Sequence, residues 1–522
     1  MTTLRAKDET APARQEAAAR EEAAARNNAR TPLMRNLLLL RLCILVFLLS
    51  NAALALGFGV VGAAPILAGC ALAAFLLFSF RPKEGGLLAA PIDARTFAAC
   101  LALAVALLLL GGETHLFYAN LDWLVRDAVL SDLTRQGFPL FYRYEGQDYL
   151  LRAPLGMYLL PAAIGRWTGL AGAHIAMLAQ NTLLLGVCLY FVARLAGARV
   201  APFLALFVLF SGLDILPQLF LEGLALPDHL EWWNPAFQYS SHVTQLFWVP
   251  NHALPGWWAA LLLLLLAREE IDLALLAILF AATLLWSPLA AVGAAPLIGF
   301  CALRLGRGLF APRILAAAVA GLCFLPIALY LTIDAESVRH GWLLAIPGFV
   351  GLYVAFIAVE IPHAAILLAA RERLARSDRA LVGAGVVVLL ALPFYSFGPN
   401  NDLAMRASIP ALFLLAFAFA RVAVSTPRDG GALASLISAI VIVSAATPAM
   451  EIKRALVVPA FAISDCDLLT SWRKTDPHVF PSNYLARREM VPAWLGAASD
   501  ARLEIERRSC WPDHPHLPDS RK

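Results

Sequence analysis

The sequence predicts an all-α, polytopic membrane fold, and three observations carry that prediction. The residues are 60% hydrophobic and only 15% charged, with a mean hydropathy of +0.70. Apolar runs approaching the roughly twenty residues that a bilayer crossing requires recur along the chain. Arginines cluster between alternate runs, as in a chain whose cytoplasmic connections hold the positive charge. The formal net charge is only +4; this gives no strongly basic face, and nucleic acid is not expected as a partner.

The first 35 residues are polar, and residues 16–20 and 22–26 each read Glu-Ala-Ala-Ala-Arg. The Glu-to-Arg spacing of four supports a solvated helix, so a cytoplasmic tail is expected, partly helical or disordered. No cleavable signal is expected, because the first strong apolar run begins near Leu37 after a long polar leader. Spans follow at 36–56, 61–80 and 97–112, with Arg81, Lys83 and Arg95 between the last two. With the Arg-rich tail inside, the third span exits outward, and the acidic stretch bearing Glu113, Asp122, Asp127 and Asp132 faces the exterior.

Residues 153–164 form an apolar run of only about a dozen residues, interrupted by Pro154, Gly156 and Pro161. It reads as a re-entrant or interfacial segment. Spans at 174–193, 200–217, 253–267, 271–286, 289–303, 313–332, 343–370, 381–397, 406–424 and 431–449 then leave nearly every Arg cluster inside. The expectation is about thirteen transmembrane helices within 36–449. The outer loops are 113–173, 218–252, 333–342 and 398–405, and residues 450–522 form a small extracytoplasmic region. Cys466 and Cys510 lie in that region, where an oxidising compartment would allow a disulfide and two free thiols are the alternative. The other six cysteines fall in apolar runs and read as small buried residues.

Chemistry is expected where the outer loops meet, because loops held by a rigid scaffold carry most functional residues. Leu121, Leu124, Val125 and Ala128 have helical spacing, so 121–135 reads as a short helix lying on the membrane surface. On it Asp122 and Arg126 share a face, as either a surface ion pair or a base placed to meet a lipid-borne substrate. Asp127 and Asp132 read first as supporting charges, and Asp127 is retained among substrate-binding candidates. Loop 218–252 contains no Lys or Arg, yet interleaves Trp232, Trp233, Phe237, Tyr239, Phe247 and Trp248 with His229, Glu231, Gln238, His242 and His252. Such rings suit either an interfacial belt or a sugar-binding surface. The spacings of His229, Glu231, His242 and His252 match no dedicated metal site. No cofactor is expected, and whether a divalent metal assists is open. Asn401 or Asp402 can cap the following helix and place Arg406 in its first turns. There the guanidinium would meet either lipid headgroups or a bound phosphate. Arg406 and Arg339 are the exceptions to the inside bias in the spans and loops of the second half.

Asp122 after an outward span, the Ala153-Pro-Leu-Gly-Met-Tyr-Leu-Leu-Pro161 segment, the inner turn Ala193-Arg-Leu-Ala-Gly-Ala-Arg199 and the late Arg406 together resemble the C-type (GT-C) membrane glycosyltransferase superfamily. The resemblance covers about residues 97 to 425. It implies transfer of a sugar from a polyprenyl-phosphate donor to a glycan or lipid acceptor at the outer face of a bacterial inner membrane. It also implies that Asp122 is the base or acceptor-positioning acid and Arg406 a ligand of the donor phosphate; on that reading His229, Glu231, His242, His252 and Asn401 are expected around the substrates. The block His229-Leu-Glu-Trp-Trp233, with Phe247-Trp-Val-Pro-Asn-His252, is similar to uncharacterised bacterial membrane proteins and implies no activity. The alternative class is a transporter or flippase for a polar lipid or polysaccharide, which would need polar or broken helices at bilayer depth. A structural partner in an envelope complex is a third.

Overall fold

A computed structural model describes residues 35–197, 199–398, 400–427, 431–475, 480–495, 502–503, 510–511 and 513–515. The expected tail helix at 16–26 lies outside the described residues. In chain order the first elements are α1 (Asn36–Ala55), α2 (Val60–Ser79), α3 (Ala94–Leu110), α4 (Leu121–Gln136), β1 (Phe141–Tyr144), β2 (Gln147–Leu151) and α5 (Gly156–Ala196). The middle supplies α6 (Val200–Val208), α7 (Ile215–Glu222), α8 (His242–Trp248), α9 (Pro250–Ala267), α10 (Leu273–Thr283), α11 (Pro288–Leu305), α12 (Pro312–Leu322) and α13 (Leu325–Thr332). Then come β3 (His340–Trp342), α14 (Phe349–Glu360), α15 (His363–Ala369), α16 (Arg376–Ala391), β4 (Tyr395–Phe397), α17 (Asp402–Ala407) and α18 (Ile409–Ser425). The last elements are α19 (Ala432–Ser444), α20 (Ala446–Val457), α21 (Leu468–Thr475), β5 (Leu485–Arg487) and β6 (Arg502–Leu503).

Among the described residues, eight helical stretches are long and apolar enough to cross a membrane: α1, α2, α5, α9 and residues 288–310, 312–332, 376–394 and 432–457. The pair α14 and α15, bent by 64°, makes a ninth if it is one span. Helices α3, α10 and α18 are apolar but shorter. The mostly helical chain therefore fits a multi-pass membrane protein. Helix α9 is its centre, with 83% of its apolar window buried against 28–33% for α2 and for 288–310, 312–332, 376–394 and 432–457. Pro250 opens α9 where a missing N–H costs nothing, and an Ala/Leu run with strong helix propensity completes it. Its two indoles reach partners on neighbours, Trp257 donating to Gln245 Oε1 (2.8 Å) and Trp258 to Leu184 O (3.0 Å).

The ends of α9, roughly 27 Å apart at 1.5 Å per residue, lead to different chemistry. At its C-terminal end Arg268 and Arg421 both hold the buried Asp378 (3.0 and 2.7 Å). Arg313 pairs with Asp272 and Arg194 with Asp93 in neighbouring connections. The other end receives the loop without Lys or Arg.

Several expectations change on inspection. Residues 200–217 are not one helix. Helix α6 has nine residues, and the chain leaves it so that buried Asp214 can accept from Ser211 (3.2 Å), Thr447 (2.8 Å) and Trp233 Nε1 (3.2 Å). Residues 156–168 fold back on the rest of α5: Gly169, at φ +79°, breaks the helix, and Gln180 Nε2 donates to Met157 O (2.9 Å). They form the first arm of a hairpin, at the segment read as re-entrant or interfacial. Helix α4 is not a surface helix, since residues 123–133 are buried between α5 and α21. Two of its acids find buried partners. Asp127 pairs with His115 (2.6 Å), while Asp132 accepts from Arg135 (2.8 Å), Tyr142 OH (2.7 Å) and Leu468 N (2.9 Å).

The C-terminal region is not an appendage either. Strands β5 and β6 complete a four-stranded sheet, order β5-β2-β1-β6, on the 141–151 hairpin. Within that hairpin Phe141 faces Leu150 and Tyr144 faces Gln147, around a turn at Glu145-Gly146 that holds both residues at positive φ. Arg487 grips Asp334 with two nitrogens (3.0 and 2.9 Å), and Cys466 and Cys510 form a disulfide.

One close approach positions the site. A Cβ on Gly293 of α11 would lie 1.8 Å from the carbonyl oxygen of Ala407, the last residue of α17. Gly293→Ala is expected to lower the thermal midpoint of the detergent-purified protein, an overpacking cost of roughly 1–3 kcal/mol. An unchanged midpoint would show that α11 and α17 are not in this contact.

Candidate functional site

A cavity of about 840 Å3 opens at the N-terminal end of α9. Its walls come from all four loops expected on the outer side: Asp122 from the first; His229, Trp232, Gln238 and Trp248 from the second; Arg339, His340 and Trp342 from the third; and Asn401, Asp402 and Arg406 from the fourth. The third and fourth loops are joined by the β3–β4 ladder, in which His340 faces Phe397 and Trp342 faces Tyr395. Gly398 N extends it by donating to Arg339 O (2.9 Å).

Asp122 is placed by the start of α4. Asn120 caps that helix through Asp122 N (3.1 Å) and donates to Phe247 O (2.8 Å), where Trp123 Nε1 also donates (3.0 Å). The Asp122 carboxylate is 40% exposed and accepts from Arg126 Nη2 (3.1 Å). Arg126 is buried, lies over the Trp123 ring, and its Nε and Nη1 have no hydrogen-bond partner. The fourth loop repeats this pairing: Arg406 Nη1 meets Asp402 Oδ1 at 2.8 Å, four residues apart. Asn401 caps α17 by accepting from Ala404 N (3.4 Å) and ties it to the second loop by donating to Ala236 O (3.0 Å). Gly398, at φ +90°, leaves room for Asp402, whose Oδ2 would lie 2.1 Å from any Cβ there.

His229 is 3% exposed and faces the cavity beside Trp232 and Trp248, with ring centroids 4.7 and 4.9 Å away. Its Nδ1 meets Glu451 Oε1 at 2.7 Å. Glu451 also accepts from Trp248 Nε1 (2.8 Å) and from Arg454, whose guanidinium lies 5.0 Å from the Trp248 ring centre. Burial alone lowers the His229 pKa, but the bond to Glu451 and the Glu231 and Glu451 charges more than reverse this and raise it.

The remaining candidates stand behind the wall. Glu231 is fully buried, accepting from Ser241 N and Gln238 Nε2 (2.8 Å each), and burial pushes its pKa up to about 7. His242 is buried with Nδ1 donating to Phe207 O (2.7 Å), and burial pulls it down to about 3. His252 Nδ1 meets Ser287 Oγ (2.7 Å) at the start of α9. Asp127 is fully buried on the far side of α4 with His115 and is not part of the wall. Among the described residues no three His, Cys, Asp or Glu side chains converge to hold a metal ion.

Sequence reasoning missed Glu451 and Arg454, which lie on α20 beyond the expected end of the last span. The signal was an acid and a base three residues apart after an outward-going run. It also missed Tyr484 of the C-terminal region, a half-buried phenol within reach of the charges of Arg126, Asp122, Arg406 and Asp402. No family model, curated protein or solved structure matches the chain.

Glu113, the first acid of the opening stretch, is buried away from the cavity and accepts from Asn181 Nδ2 (2.6 Å). Burial pushes its pKa up to about 8. A carboxyl whose folded pKa lies above the unfolded value of about 4.3 loses stability as pH rises through the folded pKa. The thermal midpoint is therefore expected to fall between pH 5 and pH 9. Glu113→Gln, which keeps an acceptor for Asn181, should flatten that slope. Identical slopes in both proteins would contradict the assignment.

Proposed function

We propose that the chain is an inner-membrane glycosyltransferase that takes a sugar from a polyprenyl phosphate and passes it to a glycan or lipid acceptor at the outer face. The observation that supports this best is the meeting of Asp122 and Arg406 in one cavity of about 840 Å3. That volume suits a phosphate-linked sugar and part of an acceptor. Arg339, the other outward-facing arginine expected from the sequence, lines the same wall. Arg406 and Arg339 hold the donor phosphate, where a planar guanidinium matches two oxygens at once. Trp232, Trp248 and Trp342 offer ring faces to the apolar side of a sugar. Asp122, fixed by Arg126, orients the acceptor hydroxyl towards the anomeric carbon. Counting the three shorter apolar helices, the bent α14–α15 pair and the broken 200–214 segment as crossings brings the total to about thirteen. The N-terminus is then cytoplasmic and the C-terminal region extracytoplasmic.

One feature favours the transporter reading. Glu360 is buried at the break between α14 and α15, where it accepts from Trp233 Nε1 (3.1 Å), and an acid at a broken helix is a common element of transport pathways. Lipid extracts separate the two readings: a deletion strain should accumulate a polyprenyl-phosphate sugar, whereas an unchanged lipid profile with a transport defect supports the alternative. In that strain, Asp122→Asn and Arg406→Ala should each reach wild-type abundance in the membrane. Each should cut transfer by at least roughly 100-fold, the scale of losing one charge-stabilising group. Normal product from either variant would remove its residue from the site.

A further inference from the structure

We propose that His229, held by Glu451, is the proton acceptor of the cavity, and that Asp122 positions the acceptor hydroxyl without taking its proton. The inference rests on the transferase reading for the identity of the hydroxyl, but the geometry of the dyad is independent of it.

The argument begins with what each group would leave behind on protonation. Asp122 is the hydrogen-bonded counter-charge of Arg126, a buried guanidinium whose Nε and Nη1 find no other acceptor. Asp122 is thus committed to Arg126 as its counter-charge, since a buried guanidinium without one is strongly unfavourable. His229 stands in the opposite situation. Its Nδ1 meets a carboxylate that also accepts from Trp248 Nε1 and Arg454, so the proton of the neutral ring sits on Nδ1, donated to Glu451. The lone pair is then on Nε2, in a residue that lines the cavity. Its nearest acidic oxygen, Glu231 Oε2, is 3.8 Å away and beyond hydrogen-bond distance. A proton arriving at Nε2 makes an imidazolium that Glu451 already compensates, the relation by which a carboxylate supports a histidine base.

The groups facing His229 are Glu451 and Arg454 from α20, Glu231 from its own loop, and the Trp232 and Trp248 rings. The step balances as follows. The acceptor O–H bond breaks and its proton goes to His229 Nε2. The acceptor oxygen bonds to the anomeric carbon, and the bond from that carbon to the phosphate oxygen breaks, leaving its electron pair on the phosphate beside Arg406.

The test uses the purified full-length protein and diethyl pyrocarbonate, which acylates unprotonated imidazoles, with modified histidines identified by mass spectrometry from pH 5 to 9. His229 should react with a sigmoidal pH dependence. Glu451→Gln should lower its midpoint by about one unit or more, because the charge that favours the imidazolium is gone. In membranes of the deletion strain, His229→Gln should lower transfer at least roughly 100-fold, and the acidic limb of the pH–rate profile should move with Glu451→Gln. The proposal is overturned if His229 is unreactive, if its midpoint ignores Glu451→Gln, or if His229→Gln transfers within threefold of wild type. Wild-type membranes that consume no polyprenyl-phosphate sugar while His229 titrates as described would instead overturn the transferase reading, leaving the dyad as the cavity's proton-exchange site.

Discussion

The cavity depends on one buried carboxylate, Glu451, to which three side chains converge. It draws His229 and Trp248 of the second outer loop, and Arg454 of its own helix, onto a single pair of oxygens. Residues 222 positions apart in sequence are thereby joined at a point where an unpaired charge would be costly. The same constraint recurs wherever polar chain enters the packed interior. Asp214 gathers Ser211, Trp233 and Thr447, and Asp132 gathers Arg135, Tyr142 and the start of α21. Each carboxylate ties together segments distant in sequence.

Apolar packing supplies the frame on which these ties act. Helix α9 runs through the middle of the bundle from the cavity to the arginine-rich end, and α11 presses against α17 at Gly293. Arg406 is therefore fixed by a backbone contact on one side and by Asp402 on the other. The two Asp–Arg pairs of the wall differ in what surrounds them. Arg126 is buried and hydrogen-bonded to Asp122, whereas Arg406 is partly open to the cavity. In the proposed reading, that asymmetry divides positioning from phosphate binding.

Most of the bundle was legible from apolar runs and the side of each arginine cluster, because bilayer-length helices are set by composition alone. The agreement in side among the four outer loops was legible for the same reason, and it led directly to Asp122, His229, Asn401 and Arg406 on one wall. What was not legible depended on tertiary pairing. Helix α4 reads as amphipathic, but its charges find buried partners in His115 and Tyr142, which no spacing rule reveals. The break after α6 follows from the demands of Asp214, not from loss of hydrophobicity. The 141–151 hairpin, with its Glu145-Gly146 turn, went unread because its importance comes from β5 and β6, more than three hundred residues later. Glu231 and His242 share the polar, aromatic surroundings of His229 in sequence and differ from it only in facing away from the cavity.

The central claim is that a polyprenyl phosphate occupies the cavity with its phosphate at Arg406. It is tested most directly by photo-crosslinking a diazirine-bearing polyprenyl phosphate to the purified protein and mapping the labelled peptides. Labels within residues 226–255 and 396–410, lost on competition with unlabelled polyprenyl phosphate and in Arg406→Ala, are the predicted result. Labels confined to lipid-facing helices such as Val60–Ser79, and unchanged in Arg406→Ala, would contradict it.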